Sequence, residues 1–571
     1  MISSPNFAQN GKMSHCISQI LWAVTFTLTF GTLIGQEPPV NTFLIDSPFP
    51  MVHQNNYRQG YSNYPALLEA GSIDIRLATT PNERVSPWLQ ISESYPDGSS
   101  TVWGCSSTHI WKAISEETGL TIIDDYRIDF NPTDRSWSFL MLPDREILTS
   151  DDNKLLVFTE ADTNSPFSEI VLTREVLLPS SIGQAVKFNR LHNGNIMFAA
   201  DDGYFGLLSP ALELLDTFQL DLAPSESIFG QGETAFHNDY ASDEQDGVYT
   251  VTTQRMIRLD VSNNTITQDW SVSMDFGGNG LQGVGTTPTL LGTEDDRLVC
   301  VVNSKSPAEL VAFWRNEIPA DWGGLDGQDL RVAAIVTLPG SSPINSTFAA
   351  VENSPVAYGY GIACGQYNGF TGQDCPTAKG VYKLEWEPTS NEMNIQWHRS
   401  DINLNNVLMY SRPDNLIYGS GREDDCNYYY YGIDWNTGET SKRFLLGKES
   451  YFDDPGDANI ILEDRSIIFN TNQRLVQLYP GSPVSSVEQF PTSQLHIFPN
   501  PFTDQLNIHF SGVSISPRYL NLYDHLGQLI KEQILVSETT VSIPTNDLPA
   551  GVYFLQHENG EEREVVKVVK Q

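Results

Sequence analysis

Between residues 40 and 480 the chain repeats one short device at a nearly constant interval: two β-branched or aromatic runs joined by a tight turn of Gly, Pro, Asn or Asp. The turns are Pro96-Asp97-Gly98, Pro143-Asp144-Arg145, His192-Asn193-Gly194, Asp246-Gly247, Asp295-Asp296, Ser354-Pro355, Asp414-Asn415 and Asp464-Arg465. Taken at their last residues, they follow one another after 47, 49, 53, 49, 59, 60 and 50 residues. SFLMLPDREILTS, FNRLHNGNIMFAA and IILEDRSIIFNTN show the pattern most plainly, and each reads as a hairpin. A hairpin alone cannot bury both faces. A repeat of this length therefore predicts small sheets packed radially against their neighbours, an all-β fold with a roughly eight-bladed β-propeller (seven or eight blades) over residues 40–480. A row of β-sandwich domains is the competing arrangement. It is disfavoured because no linker interrupts the stretch and the repeat is shorter than a sandwich of about 100 residues.

Charge and composition narrow the class. The chain carries 33 Lys+Arg against 71 Asp+Glu, a formal charge of -38, which repels phosphate backbones and argues against nucleic acid as a partner. With 40% hydrophobic and 18% charged residues, it is too apolar for a disordered chain. No formal charge stands between Lys12 and Glu37, and Ile20 to Ile34 reads ILWAVTFTLTFGTLI. That run has the length of a signal-peptide apolar region, and its threonines dilute it below what a membrane anchor needs. Residues 1–36 are expected to be a secretory signal handled by the Sec translocon and cut near Gly35 or Gln36, with no integral membrane segment after its removal.

Five cysteines remain beyond that signal: Cys105, Cys300, Cys364, Cys375 and Cys426. In an oxidising compartment, Cys364 and Cys375 bracket the polar loop CGQYNGFTGQDC and form the candidate disulfide. No Cys-x2-Cys pair with a His at ligand spacing favours a metal site instead.

Within the repeat region the chemistry-bearing residues are scattered. His53, His109, His192, His237 and His398 could converge on the axis of a propeller, yet each alone reads better as a surface or structural histidine. Acidic pairs and triplets (Asp151-Asp152, Asp201-Asp202, Glu294-Asp295-Asp296, Glu423-Asp424-Asp425, Asp453-Asp454) could take calcium through oxygen, although solvated turns explain them as well and none has EF-hand spacing. Serine-hydrolase, zinc-protease and P-loop motifs are missing. Tyr428 to Tyr431, with Tyr358, Tyr360 and Tyr367, could stack on flat ligands, but strand packing is the better reading. No catalytic residue, cofactor site or metal ligand is assigned.

Two segments resemble known families. SPFPMVHQNNYRQGYS (Ser47 to Ser62) resembles the Trp-Pro-Met-Phe-type opening of quinoprotein-like propellers, with Phe49 in place of the Trp. Ala113 to Ile123 and Gly432 to Lys442 resemble that superfamily's tryptophan-docking repeat, Ala-x-Asp-x-x-Thr-Gly-x-x-x-Trp. The first keeps Ala113, Thr118 and Gly119, the second Asp434, Thr437 and Gly438, and neither keeps the Trp. A quinone enzyme of that superfamily would typically hold its cofactor over a vicinal Cys-Cys pair, which this chain lacks. The functional expectation is a secreted or surface propeller that binds an unassigned extracellular ligand. The alternatives are a quinoprotein-like oxidoreductase, or a lyase or lactonase, working in the channel, and a structural surface protein.

Pro480-Gly481-Ser482-Pro483 opens a linker, residues 481–494, beyond which about seven short strands over 495–571 describe a small, immunoglobulin-like β-sandwich. This tail resembles the type A C-terminal sorting domain of the type IX (Por) secretion system of Bacteroidota. The motifs are Phe498-Pro499-Asn500-Pro501, the block around Leu526-Gly527, Pro549-Ala550-Gly551-Val552-Tyr553, and Lys567 to Lys570. The resemblance implies export from the periplasm through the type IX translocon and removal of the tail by its sortase-like peptidase, followed by release or attachment at the outer-membrane surface.

Overall fold

The computed structural model describes residues 37–44, 47–81, 88–105, 108–116, 119–128, 138–200, 202–223, 226, 239–277, 285–292, 297–342, 350–367, 379–449, 452, 459–471, 474–481, 495–498, 502–510, 518–524, 528–536, 540–559 and 562–571. The chain divides into two compact units, residues 1–483 and 484–571.

The first unit is built from eight sheets that follow one another along the chain, blades 1 to 8, over residues 88–127, 140–177, 185–219, 241–273, 289–337, 356–399, 409–447 and 460–480. Blades 1 to 7 are each a four-stranded antiparallel meander running from an inner first strand to an outermost fourth. Blade 8 takes only three strands from its own stretch. Its outermost strand is Ile73–Thr79, paired antiparallel with Arg474–Pro480 from Ile73↔Pro480 to Thr79↔Arg474. The N-terminal strand thus closes the ring, and it lies beside Gly119–Arg127, the outermost strand of blade 1. The sheets form an eight-bladed propeller and not a row of sandwiches.

The turns that marked the sequence repeat join first to second strands: those at Gly98, Arg145, Gly194, Gly247, Asn415 and Arg465 do so among the described residues. The turn at Asp295-Asp296 lies outside the described residues. Ser354-Pro355 instead precedes the first strand of blade 6, whose turn is Gly359-Tyr360. Counted to Tyr360 the two steps become 64 and 55 residues, and the extra length of the first includes the long connection in blade 5 between Glu309–Trp314 and Val332–Thr337.

Because each blade is covered on both faces, its middle strands read as continuous apolar runs, such as LVCVV at Leu298–Val302 and ELVAFW at Glu309–Trp314. Successive side chains then feed different interfaces. In blade 2, Leu155 and Val157 enter the core shared with blade 3, while Leu156 and Phe158 enter the core shared with blade 1. The tyrosine run follows the same rule: Tyr428 and Tyr430 pack toward blade 8, Tyr429 and Tyr431 toward blade 6. All four are buried, so the run is packing and not an open stacking surface.

Outermost strands carry a second regularity. In blades 1 to 7 each takes an extra residue opposite its third strand: Ile123, Thr173, Leu215, Asp269, Ala333, Gln396 and Ser441, with a second in blade 7 at Leu446. Such a bulge re-aims the residue that follows it. Trp270 then donates its indole N–H to the Arg315 carbonyl of blade 5 at 3.0 Å, and Trp397 donates to the Trp435 carbonyl of blade 7 at 2.9 Å. Asp124 and Asp216 accept from the Ile170 and Ile266 amides of the next blade at 2.6 and 2.8 Å. Indoles that join neighbouring blades are therefore present on blades 4 and 6, outside the two segments that resemble the docking repeat. Trp397 lies against Gly438, in the turn of one of the two segments that resemble the docking repeat. Both segments span turns between third and outermost strands, and Asp434 accepts from the amides of Asn436 and Thr437 there. Thr118 lies outside the described residues.

The second unit holds a three-stranded sheet (Leu495–Phe498, Gln505–Phe510, Thr540–Pro544) and a four-stranded sheet (Arg518–Asp524, Leu529–Val536, Gly551–Asn559, Glu562–Lys570). They share one core of Phe502, Leu506, Ile508, Leu520, Leu522, Ile543, Leu548, Tyr553, Leu555 and Val568. The seven strands expected from the tail are all there.

Candidate functional site

The inner edge of a propeller faces the axis with unpaired backbone groups, and something must satisfy them where water is excluded. Here the segment from Phe49 to Ser62 does so at one end of the ring, where the first strands finish. Ile91 of blade 1 donates its amide to the Phe49 carbonyl at 3.0 Å, and Met51 packs with Leu140 of blade 2. The Asn56 amide bonds to the Asn189 side chain at 2.8 Å, to the Arg190 carbonyl at 2.7 Å and to the Ser242 hydroxyl at 2.9 Å, joining blades 3 and 4. Leu290 of blade 5 donates to the Tyr57 carbonyl, Ala357 of blade 6 to Gln59, and Tyr410 and Arg412 of blade 7 to Gly60 and Ser62. Tyr61–Ser62 runs parallel to Met409–Ser411. The segment that resembles a quinoprotein opening is thus a collar touching seven blades in turn.

Its backbone is bent to make that circuit. His53, Gln54 and Arg58 have φ of 56°, 72° and 58°, in the left-handed region that costs a residue with a Cβ about 1–2 kcal/mol. Such strain persists only where the surroundings over-determine it, and here six hydrogen-bonded blades do so.

Beside the collar lies a buried polar cluster. Arg58 pairs with Asp239 at 3.1 Å, both side chains wholly buried, and donates to the carbonyls of Tyr240 and Val52 at 2.9 and 2.6 Å. The edge of His53 meets Trp88, with ring centroids 6.1 Å apart, and the Lys187 ammonium sits 4.9 Å from the same indole. Neither His53 nitrogen has a hydrogen-bond partner. Burial, with the nearby Arg58 and Lys187 charges, pushes the imidazole down to about 3, so it is neutral at any physiological pH. The other described histidines stay apart: His109 is 3.9 Å from Asp125, His192 is on the turn after the first strand of blade 3, and His398 is stacked on Tyr382 at 4.5 Å. His237 lies outside the described residues.

The collar also borders a half-open cavity of about 350 Å³. Gln54, Tyr57, Tyr61 and Tyr64 line it together with Pro38, Pro39, Pro48 and Pro50, and Met409 and Ile461 add apolar wall. Its asparagines are committed to the fold: Asn41 bonds to Asn56 and the Arg190 carbonyl, Asn55 to Gln59. Gln54 is not, since its buried side-chain oxygen has no partner. Nothing in the repeat pointed to this place. The available signal was the run HQNNYRQGYSNY, polar and tyrosine-rich without hairpin alternation.

The remaining sequence candidates fall elsewhere. Cys364 faces the apolar core between blades 5 and 6, where it is a free thiol that burial pushes up to about 12. Its expected partner, Cys375, lies outside the described residues. Of the acidic groups, Glu423 is held by Arg443 and Tyr431, Asp424 by Lys379 at 2.9 Å, and Asp425 by Asn427 and Tyr429. Among the described residues no three His, Cys, Asp or Glu side chains gather as a metal site, and no helix is long and apolar enough to cross a membrane.

In the tail, Phe502 donates its amide to the Val569 carbonyl at 2.8 Å, and Gln571 donates back to Phe502 at 2.9 Å. The Lys570 ammonium bonds to the Thr503 carbonyl over the Phe502 ring. The Tyr553 hydroxyl bonds to the Pro549 carbonyl at 2.8 Å, closing the turn that contains Ala550 and Gly551. Phe502, next to the first motif, is thereby held to the last one, and the Tyr553 contact closes its own motif. Val552 is half-buried and Lys567 exposed, and the Phe498 side chain lies outside what is described. Pro499, Asn500, Pro501, Leu526 and Gly527 lie outside the described residues.

Comparison with known proteins agrees with the division. Residues 496–571 match the family model described as a secretion system C-terminal sorting domain. An uncharacterized protein of Archaeoglobus fulgidus is 24% identical over 433 residues, covering 71% of this chain and 81% of its own. Similar solved structures include BamB from Moraxella catarrhalis, 13% identical, with a TM-score of 0.42 over 71% of this chain and 100% of that one. A europium-containing methanol dehydrogenase is 10% identical, with a TM-score of 0.45 over 75% of this chain and 90% of that one. The chain therefore ends in a type IX sorting domain, which marks it for secretion or attachment at the cell surface, and the domain's presence implies handling by that secretion system.

Proposed function

We propose that the propeller is an extracellular binding module and that the cavity under the collar is where it binds. The observation that carries this reading is the conjunction of a half-open cavity of about 350 Å³, three left-handed residues with side chains in the segment that borders it, and a buried Gln54 oxygen without a partner. The dispersal of the histidines favours binding over acid–base chemistry at this place. In this reading residues 1–36 take the chain across the inner membrane through the Sec translocon. Residues 481–494 are the linker, and the tail is then removed by the type IX peptidase, leaving the propeller as delivered cargo.

The test is native mass spectrometry of the exported protein purified from its own culture medium. A retained small molecule is expected, and it should be missing from Gln54→Trp, whose indole fills the cavity. An unliganded mass for the wild type, or a ligand kept by Gln54→Trp, overturns the placement.

A further inference from the structure

Among the described residues, the lining of the collar cavity carries no ionic group free to select a charged ligand: Glu37 is the sole acidic or basic side chain there, and it is ion-paired with Arg412. The whole chain carries -38, so an anionic ligand would approach against the field. What the cavity offers is uncharged. The Gln54 amide has an unpaired buried oxygen, and among the described residues the Tyr61 and Tyr64 hydroxyls make no hydrogen bond to protein. Burial pushes both phenols up, Tyr61 to about 12, so they stay protonated and can donate. Prolines and aromatic rings supply rigid apolar wall without backbone donors of their own.

We propose that the ligand is a neutral saccharide of one or two units, held by the Gln54 amide and the Tyr61 and Tyr64 hydroxyls against the proline and tyrosine walls. This rests on the reading of the cavity as the binding site. A sugar ring presents hydroxyls around its edge that both donate and accept, and apolar C–H faces above and below. Amide and phenol groups can serve the first, and tyrosine and proline the second. Size sets the length: about 350 Å³ is near the lower end of the roughly 300–1,000 Å³ typical of ligand pockets, which suits one or two sugar units and not a longer chain.

The experiment is calorimetric titration of the full exported protein with neutral monosaccharides and disaccharides, and separately with galacturonate and inorganic phosphate. Gln54→Gly and Tyr64→Phe are the variants. Gln54→Gly deletes the amide where glycine suits the backbone, so the fold should be retained, and an unchanged or raised unfolding midpoint checks this. A neutral sugar should bind to the wild type, with affinity at least about 10-fold weaker in each variant, the loss of one hydrogen bond. Tighter binding of galacturonate or phosphate, weakened by the same variants, overturns the saccharide class and leaves the cavity as the site. A neutral sugar bound equally by all three proteins overturns the site. No binding by any probe, with a small molecule still retained natively, overturns the class alone.

Discussion

Gly438 and Trp397 provide the sharpest test of how neighbouring blades are locked. The Trp397 indole lies against Gly438 in blade 7, its N–H bonds to the Trp435 carbonyl, and Arg399 donates to the Gly438 carbonyl at 2.7 Å. Gly438 has φ of 73°, and a Cβ placed there would lie 2.7 Å from Cδ2 of the indole. Gly438→Ala therefore meets two separable costs: about 1 kcal/mol for a side chain in the left-handed region, and about 1–3 kcal/mol more for displacing a packed ring. Trp397→Ala, which removes a half-buried indole and its hydrogen bond, should cost about 2–4 kcal/mol. In the double variant the new methyl group meets empty space, so only the backbone cost of Gly438→Ala remains. The coupling between the two substitutions should then be about 1–3 kcal/mol, measured as a double-mutant cycle by urea unfolding of the propeller followed by far-ultraviolet circular dichroism. If Gly438→Ala cost the same with and without the indole, the turn would be glycine for its backbone alone, and the docking account would be wrong.

Three further outcomes follow from the structure. His53 is held neutral down to about pH 3, whereas in the unfolded chain it takes a proton near 6.5. Stability should therefore fall as pH drops from about 6.5 toward 3, by up to about 1.4 kcal/mol per unit from this group, and the difference in slope between wild type and His53→Asn in pH-dependent urea titrations reads it. Equal slopes would contradict the burial. Cys105, Cys300 and Cys364 are buried, with thiols pushed up to about 12, so a maleimide should label none of them in the folded protein and label Cys105 and Cys300 once it is unfolded. Deleting residues 495–571 should strand the propeller in the periplasm, seen by fractionation and immunoblotting. Normal surface delivery without the tail would refute its role as the export signal.

The sequence revealed what recurs and concealed what happens once. Turns between first and second strands were legible because each needs residues suited to left-handed or tight backbone, as at Gly98, Gly194 and Asn415. The spacing of those turns was enough to count blades. The sorting tail was legible because its motifs are short and contiguous, although their reason, Phe502 and Lys570 meeting across the fold, is a long-range contact. Trp270 and Trp397 escaped because the strands reach further before turning: they pair with Arg258 and Lys383, 12 and 14 residues earlier, against 10 from Gly432 to Lys442, so a motif of fixed spacing misses them. The collar escaped for a different reason. Its hydrogen bonds run to six blades spread over more than 300 residues, and no local period records a segment whose partners change at every step.

Ring closure brings these observations together. Seven outermost strands follow directly from their own third strand in the chain, carry the bulge, and in several cases use the residue after it to reach the next blade. The eighth comes from the N-terminus, pairs in unbroken register over seven residues, and has no bulge. The inter-blade contact is nevertheless kept by another route. Arg76 on that strand donates to the Glu116 carbonyl of blade 1 at 2.9 Å while its guanidinium covers the Tyr479 ring at 3.9 Å. Where a bulge swings an indole or a carboxylate across the gap, a longer side chain reaches across from a straight strand. At blades 1, 3, 4, 6 and 8 a hydrogen bond runs from the outer rim of one blade to the last turn or outermost strand of its neighbour, and Asp, Trp and Arg each make it within the geometry their strand allows. Because different residue types make the same contact, a repeat regular in structure has no single residue that records it in the sequence.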